Sequence, residues 1–447
     1  MKVYNMNKNG RAVVRTPLGE TRTIEANEIV RQGTVMGPQL CSSNDTDKVN
    51  NIGQQQITTI GPNIKIKTMA YVDDLQNPSS SVSGLKAAAE NLRTMEQVKG
   101  YTFNTEPKKT ALLVANKKRN KDYTGIELQL KGGMVKQTSE YKYVGEWYNE
   151  KYDHRTSLGK REEKIGCYVQ QVRVYGNEYR LRRYALGARL KLYHTTVVPS
   201  LFSNVETWSV MTKGDLEKLE GMQYGVLRQI MEQRGSVSYF GLLAETGVWP
   251  VEQLIEARKI YLMNNIMNSK RERLLKEILE EQVRDPWKGC WVEGLMVILE
   301  KYGLSMREVI TLKRGKLKEK VKERVGDFLE GKLNEKRSTK LRFIKKFGRK
   351  KYIEEMDFRD GILMLKVRLN MIEVKCNYKN KYKVNGVCDV CEREDDTTEH
   401  MIFGCEKIHP LKGMLDGRDI EECNKRVPRE VREIMDKRKQ MGHELVI

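Results

Sequence analysis

The spacing of apolar and polar residues changes along the chain at about residue 155. Before that point, short alternating runs are typical of strands. Residues 10–33 alternate around a glycine-containing turn and predict a hairpin. Residues 64–72 alternate as a further strand, with Ile64, Ile66 and Thr68 on one face. The N-terminal part is therefore predicted to mix α and β structure.

One helix is predicted inside this N-terminal part, over residues 81–100. Its apolar side chains recur three or four positions apart, at Leu85, Ala88, Leu92 and Met95. Gly100 lies where a helix C-cap is expected. Two more strands are predicted at residues 110–115 and 141–148, the second of which is rich in aromatic and β-branched residues.

The later pattern is helical. Helical periodicity covers residues 156–195, 213–233, 250–285 and, in a very basic stretch, 310–352. Prolines punctuate these segments at Pro199, Pro250 and Pro286. A cysteine cluster lies within residues 376–410, and the last 37 residues are charged, as in a terminal helix or a loose tail.

The amino-acid composition indicates the class of binding partner. A chain of 447 residues is long enough for two to four domains. Its 81 lysines and arginines exceed its 60 aspartates and glutamates, and the net charge of +21 favours a polyanionic partner. Nucleic acid is the first candidate. An anionic membrane surface and a merely solvated basic surface are the alternatives.

Targeting signals are not evident in the sequence. No run of about 18 apolar residues occurs, so no membrane span is expected. The first residues do not combine an apolar core with a cleavage site, so secretion is not expected. Eight cysteines, sparse and irregularly spaced, indicate a reducing compartment rather than a disulfide scaffold.

Four of the potential metal ligands have zinc-site spacing. Cys388 and Cys391 are separated by two residues, and His400 and Cys405 follow within the same short segment. Two thiols from one tight turn, then a histidine and a cysteine, predict a closed tetrahedral zinc site with a structural ion. Free buried thiols are the alternative. His409 is a spare ligand candidate.

Two basic stretches differ in their expected role. Residues 312–325 mix lysine with glutamate at helical spacing and predict a solvated helix with intrahelical ion pairs. Residues 335–352 hold nine lysines or arginines and one glutamate, with Phe343, Phe347 and Tyr352 between them. Cations for phosphates and rings for stacking suit RNA or single-stranded nucleic acid. The candidate contacts are Lys340, Arg342, Lys345, Lys346, Arg349, Lys350 and Lys351. A nuclear-localisation signal and an inert surface are the other interpretations.

Two adjacent carboxylates, Asp73 and Asp74, follow the apolar strand that ends near Tyr71. A solvated turn is one interpretation, because aspartate favours turns. A hairpin that fixes both acids would be stabilised by a shared cation, because like charges held close repel. Magnesium prefers one or two carboxylates together with phosphate oxygens, the arrangement that nucleotidyl transfer with two metal ions requires.

Five motifs in order resemble non-LTR (LINE-type) retrotransposon reverse transcriptases. They are "RQGTVMGPQL" (31–40), "AYVDD" (70–74), "NTEPKKTALLV" (104–114), "YKYVGEWY" (141–148) and "HTTVVPSLFSNVETW" (194–208). The third has a longer spacing between its asparagine and Lys109 than is usual in the family. The fourth has Val144 where the family has leucine.

The resemblance implies a role for each matching residue. Asp73 and Asp74 would hold magnesium, and Lys109 would protonate the departing pyrophosphate. Residues that would bind template, primer or incoming nucleotide are Gln32, Gly33, Gly37, Pro38, Tyr71, Tyr143, Val144 and Gly145. Each has a plainer interpretation, such as a glycine-rich turn, a surface lysine or a core aromatic residue; Pro199 and Trp208 are interpreted as helix packing.

The implied fold class is α+β, the C-terminal portion of such a polymerase. It comprises a partial palm with primer grip (1–150), a helical thumb (151–285), a basic helical connector (286–375), a Cys-Cys-His-Cys zinc knuckle (376–410) and a charged tail (411–447). The implied partners are an RNA template and a DNA primer or target, without a membrane, in the nucleus or in a cytoplasmic ribonucleoprotein. The sequence does not indicate an oligomeric state.

One departure from the family limits the expected activity. The family's third catalytic aspartate precedes the Gln-Gly motif in a pattern such as Phe-x-x-x-Asp, and Glu20, Glu25 and Glu28 do not fit it. The family's fingers also have no counterpart in this sequence. The two-magnesium site is therefore expected to be incomplete and nucleotide transfer slow. The alternatives are a non-catalytic RNA- or DNA-binding remnant and a chain that does not fold stably.

Overall fold

Two units divide the chain in this computed structural model, residues 1–157 and residues 158–447. The structure describes residues 10–13, 15–16, 19–20, 22–26, 58–60, 64–66, 68–71, 74–100, 102–115, 125–178, 186–209, 211–233, 237–270, 273–336, 341, 343–408, 415 and 417–441. In these residues, no helix is long and apolar enough to cross a bilayer.

The first unit is built from short strands and one long helix. Its strands are β1 (Gly10–Ala12), β2 (Arg15–Thr16), β3 (Gly19–Glu20), β4 (Ile24–Ala26), β5 (Thr58–Ile60), β6 (Ile64–Ile66), β7 (Met69–Tyr71), β8 (Asp74–Gln76), β9 (Leu112–Leu113), β10 (Leu128–Leu130), β11 (Gly133–Val135), β12 (Gln137–Thr138), β13 (Glu140–Tyr143) and β14 (Glu146–Asn149). They pair two by two: β1 with β4, β2 with β3, β5 with β6, β7 with β8, β10 with β11, β13 with β14 and, in parallel, β9 with β12.

Helix α1 (Val82–Lys99) confirms the prediction for residues 81–100. The Ser81 side chain accepts a hydrogen bond from the backbone N–H of Gly84 and so caps its start. Gly100, with a φ of 76°, ends the helix in the left-handed conformation that glycine adopts without strain. The fully buried carboxylate of Glu96 accepts from the backbone N–H groups of Phe103 and Lys131, at 2.6 and 2.7 Å, and ties the helix to the next strands.

The strand predictions for the first unit are confirmed with two refinements. The hairpin expected in residues 10–33 is present, with β1 opposite β4 and β2 opposite β3. The strand expected over residues 64–72 is two strands, β6 and β7, which pair with different partners. Ile64 and Ile66, predicted to share one face, are both buried. The run 141–148 is a hairpin rather than one strand, because Val144 and Gly145, at φ 45° and 84°, form its two-residue turn.

The second unit is helical. Its helices are α2 (Arg155–Glu162, which begins in the first unit), α3 (Ile165–Glu178), α4 (Leu186–Leu192), α5 (Val198–Leu201), α6 (Lys213–Ile230), α7 (Tyr239–Thr246), α8 (Val251–Met267), α9 (Arg273–Arg284), α10 (Trp291–Lys301), α11 (Met306–Thr311), α12 (Arg314–Glu335), α13 (Lys351–Glu355), α14 (Phe358–Arg368), α15 (Lys375–Tyr382), α16 (Gly417–Glu421) and α17 (Arg426–Gln440). The π-helical turns Tyr193–Val197 and His400–Gly404 and the 3-10 turn Val205–Thr207 join some of them.

One hydrophobic core of this unit draws on all four regions that the sequence separates. It includes Leu190 from region 151–285, Leu365 from 286–375, Cys388 from 376–410 and Val431 from 411–447. A second core joins α8, α10, α11 and α12. The cysteine segment therefore packs into a larger helical body.

A buried ionic network ties four helices of this body together. The guanidinium of Arg368 donates to both carboxylate oxygens of Glu245, at 2.7 and 2.9 Å, with 1% and 0% of the two side chains exposed. Tyr352 donates its hydroxyl to the same carboxylate at 3.0 Å, and Arg368 also donates to the backbone carbonyl of Ile420. Helices α7, α13, α14 and α16 are thus fixed to one another.

The prediction of one helical segment over residues 310–352 is wrong for residues 343–350. Helix α12 ends at Glu335, and the described residues from 343 to 350 are irregular. The backbone N–H groups of Gly348 and Lys350 donate to the carbonyls of Ala244 and Glu245, at 3.0 and 3.3 Å. This segment satisfies the end of helix α7 instead of forming a helix of its own.

Candidate metal centre and carboxylate hairpin

Cys388, Cys391, His400 and Cys405 form one buried cluster that can hold a metal ion such as zinc. Their ligand atoms all lie within 4.8 Å of one another. A tetrahedral zinc ion places sulfur and nitrogen ligands about 3.5–3.8 Å apart, so a contraction of about 1 Å in the widest pair would complete the site. Three thiols and one imidazole fill four positions, which is the donor set of a closed structural centre.

Local backbone structure explains why the ligands converge. Glu392 has a φ of 57° and donates its N–H to the carbonyl of Cys388 at 2.8 Å, which closes the tight turn under the first two thiols. His400 begins a π-helical turn, and the N–H of Cys405 donates to the carbonyl of His400 at 2.8 Å. The wider π turn brings the last two ligands to the same side of the chain.

A carboxylate outside the ligand set orients the histidine. Glu394 Oε2 lies 2.7 Å from His400 Nδ1, and His400 Nε2 lies 3.2 Å from Cys391 Sγ. Because a carboxylate accepts the Nδ1–H, the Nε2 lone pair faces the thiols, as in the carboxylate–histidine–metal arrangement. The sequence does not predict this role, and an acidic residue between the two ligand pairs is its only signal.

The surroundings of Cys391 and Cys405 shift the pKa values of these two thiols in opposite directions. Burial opposes ionisation of Cys391, but hydrogen bonds from the backbone N–H groups of Arg393 and Glu394 outweigh it and lower the pKa of that thiol to about 7. Burial and the charge of neighbouring Cys388 raise the pKa of Cys405 to about 12. Several thiolates in one buried place repel, and a divalent cation is the charge that would relieve this repulsion.

The segment that carries the four possible metal ligands is held to the helical body by a buried ion pair. Asp396, with 0% of its side chain exposed, accepts from Arg438 Nη2 on helix α17 at 2.7 Å. It also accepts from the backbone N–H of Lys375 at 2.7 Å. The segment is therefore anchored at both the start of α15 and the end of α17, which the sequence did not predict.

The carboxylate hairpin of the first unit is described in part. Strands β7 and β8 pair antiparallel with Tyr71 opposite Asp74, and Asp74 is exposed at the start of β8. Asp73 lies outside the described residues, as do Gln32, Gly33, Gly37 and Pro38. The backbone of Tyr71 is described and its side chain is not.

Three of the motifs nevertheless converge in this unit. Burial and, second, the negative charge of Asp74 raise the pKa of both Tyr141 and Tyr143, which lie in strand β13. Tyr141 donates its hydroxyl to the backbone carbonyl of Lys109 at 2.7 Å, and the Lys109 side chain is exposed. The charge of Asp74 therefore acts on the hairpin that has Val144 and Gly145 at its turn, and the loop of Lys109 is hydrogen-bonded to the same hairpin.

The predicted nucleic-acid contacts in residues 340–351 are largely engaged within the protein. Lys345 pairs with Glu421, and Arg349 pairs with Glu354 at 2.7 Å. Lys350 donates to the backbone carbonyl of Lys346 at 2.5 Å, and burial lowers its pKa. Lys346 and Lys351 are exposed, and Lys340 and Arg342 lie outside the described residues.

The expectation that aromatic rings of this stretch stack on bases is wrong for two of them. Phe343 is 5% exposed and Tyr352 is 1% exposed, both in the main core. Phe347 is half-buried against Phe240, with ring centroids 5.9 Å apart. Trp208 of the fifth motif is also buried, as the packing interpretation predicts.

No protein-family model matches the chain, and no curated protein sequence is significantly similar to it.

Proposed function

We propose that this chain belongs to a LINE-type reverse transcriptase, which binds an RNA template and a DNA primer. The observation that carries the proposal is the convergence of three motifs in the first unit. Asp74 lies near the Tyr143 hairpin, and the Lys109 loop is hydrogen-bonded to the same hairpin. A polymerase needs its carboxylates, its leaving-group acid and its primer-holding turn at one place.

In this proposal each group has a stated task. Asp73 and Asp74 would hold magnesium, which supplies positive charge for the triphosphate and the attacking primer hydroxyl. The exposed ammonium of Lys109 would carry the proton for the departing pyrophosphate. Val144 and Gly145 would support the primer end. Only two of the three carboxylates that hold metal in the family are identified in this sequence, so nucleotide transfer is expected to be slow.

The zinc centre serves the proposed function structurally. Its ligands are buried and fill a closed coordination shell, so it would fix the helical body rather than take part in chemistry.

Primer extension tests the polymerase proposal. Purified chain, a labelled DNA primer on an RNA template and magnesium are expected to give slow extension that Asp74→Ala abolishes. Asp285→Ala, a change at an exposed aspartate of the second unit, is the matched control and should extend as the unchanged protein does. Equal extension by both variants, or extension without magnesium, would contradict the proposal.

A non-catalytic nucleic-acid-binding protein is the second candidate function, and the net charge of +21 favours it. It predicts salt-sensitive RNA binding that Asp74→Ala leaves unchanged, together with no primer extension above background.

A further inference from the structure

The first half of helix α12, together with its N-cap Lys313, presents a run of exposed cations. They are Lys313, Arg314, Lys316, Lys318, Lys322 and Arg324. The intrahelical ion pairs expected from the sequence are not found here: in the described part of the chain, these six have no acidic partner within ion-pair distance. The two α12 lysines that pair, Lys320 and Lys332, do so with Glu308 and Glu252 of other helices.

Packing fixes which part of the helix faces solvent. Leu317, Val321 and Val325 are fully buried in the core formed with α8, α10 and α11. The exposed surface of the first half of the helix carries the six cations together with two glutamates, Glu319 and Glu323. From Lys313 to Arg324 the helix rises about 16 Å, roughly the length of five nucleotides along one strand of a duplex.

The charge arrangement is unfavourable for the helix taken by itself. Lysines recur four positions apart at Lys318 and Lys322, a like-charge spacing that destabilises helices. No acidic residue lies in the first turn, and the N-cap Lys313 makes no side-chain cap. Cations at a helix N-terminus oppose its dipole, whereas a bound phosphate would complement both the dipole and the side chains.

We propose that the exposed surface of the first half of α12, where these six cations outnumber the two glutamates, binds the sugar-phosphate backbone of a nucleic acid strand. The inference rests on the proposed function and names its contact surface. It moves the main contact from residues 340–351 to α12. The reason is that Lys345 and Arg349 are paired and Lys350 is half-buried, whereas the six α12 cations are exposed and have no ion-pair partner among the described residues.

Salt-dependent binding of labelled single-stranded RNA and single-stranded DNA, measured by fluorescence anisotropy, tests this surface. The variant is Lys316→Gln/Lys318→Gln/Lys322→Gln in the full chain. Its matched control removes three exposed lysines elsewhere on the second unit, in Lys218→Gln/Lys270→Gln/Lys288→Gln. Because all six positions are exposed, both proteins should fold, which circular dichroism and thermal melts would check.

Loss of three phosphate contacts should lower the slope of log Kd against log salt by about 2 and weaken binding at least about tenfold at 0.1 M salt. The control triple should stay within about twofold of the unchanged protein. Binding to one strand type alone would identify RNA or DNA as the partner.

Four results would overturn the inference. Equal weakening by both triples would leave general charge as the explanation, and the proposed function would stand. Loss on changing Lys345, Lys346 and Lys351 but not the α12 lysines would return the contact to that segment. If the α12 triple variant loses binding to phosphatidylserine vesicles but keeps its RNA binding, the surface is a membrane site instead. If the unchanged protein binds neither RNA nor DNA, the proposed function fails as well.

Discussion

Replacing Glu394 with alanine removes the carboxylate that lies 2.7 Å from His400 Nδ1. The Glu394 side chain is 67% exposed, so its loss leaves no cavity and the fold should persist. What changes is the orientation and basicity of the imidazole whose Nε2 faces Cys391. Carboxylates in this position contribute about 10–100-fold to metal affinity, which is about 1.4–2.7 kcal/mol.

Competition for zinc against a chromogenic chelator measures this affinity, and the visible spectrum of the cobalt-substituted protein reports the geometry of the ligand set. Glu406→Ala is the matched control, because Glu406 is 68% exposed and follows Cys405 but pairs with Arg393 rather than with a ligand. Equal zinc affinity in the Glu394→Ala and Glu406→Ala proteins would refute the reasoning. An absent cobalt–thiolate band in the unchanged protein would refute the metal centre itself.

Three further predictions concern stability, each measured by urea unfolding. Arg368→Met leaves the buried Glu245 carboxylate without its cation and should destabilise the second unit by about 3–5 kcal/mol. Adding Glu245→Leu should recover most of this loss. A double variant whose destabilisation equals the sum of the two single changes would contradict the coupling of the pair. Gly247→Ala should lower the free energy of unfolding by about 2–3 kcal/mol, because Gly247 has a φ of 68° and an added Cβ would lie 2.4 Å from the backbone nitrogen of Arg349. An unchanged free energy of unfolding would show that the backbone at Arg349 shifts to make room for the Cβ. The hydrogen bond from Lys320 lowers the pKa of Glu308 to about 2. The Glu308 carboxylate therefore stabilises the fold above its unfolded pKa of about 4.5, and this contribution is lost as the pH falls towards 2. The difference in unfolding free energy between Glu308→Gln and the unchanged protein should vanish between pH 4.5 and pH 2, and a constant difference would contradict the pairing of Glu308 with Lys320.

Local patterns of the sequence predicted the elements whose stability is local. Helix α1 combines an apolar stripe with a serine N-cap and a glycine C-cap, so its bounds were predicted almost to the residue. The metal cluster was predicted for the same reason, because its four ligands lie within 18 residues and the turns between them are short.

Local sequence patterns do not predict contacts between residues that lie far apart in the chain. Residues 343–350 are basic and were read as helix, but their backbone satisfies carbonyls of α7 about 100 residues earlier, and this contact decides their conformation. The buried pairs of Glu245 with Arg368 and of Asp396 with Arg438 have no local signal either. Burial of Phe343 and Tyr352 followed from the same tertiary packing.

Terbium luminescence tests the central claim, a cation site at the carboxylate hairpin beside the primer-holding turn. Terbium replaces magnesium at carboxylates, and nearby tyrosines sensitise its luminescence. Here those tyrosines are Tyr141 and Tyr143, whose pKa values are raised in part by the charge of Asp74. The account predicts luminescence that magnesium competes away and that Asp74→Asn removes, while Asp285→Asn preserves it. Luminescence that is equal in the two variants would contradict the account.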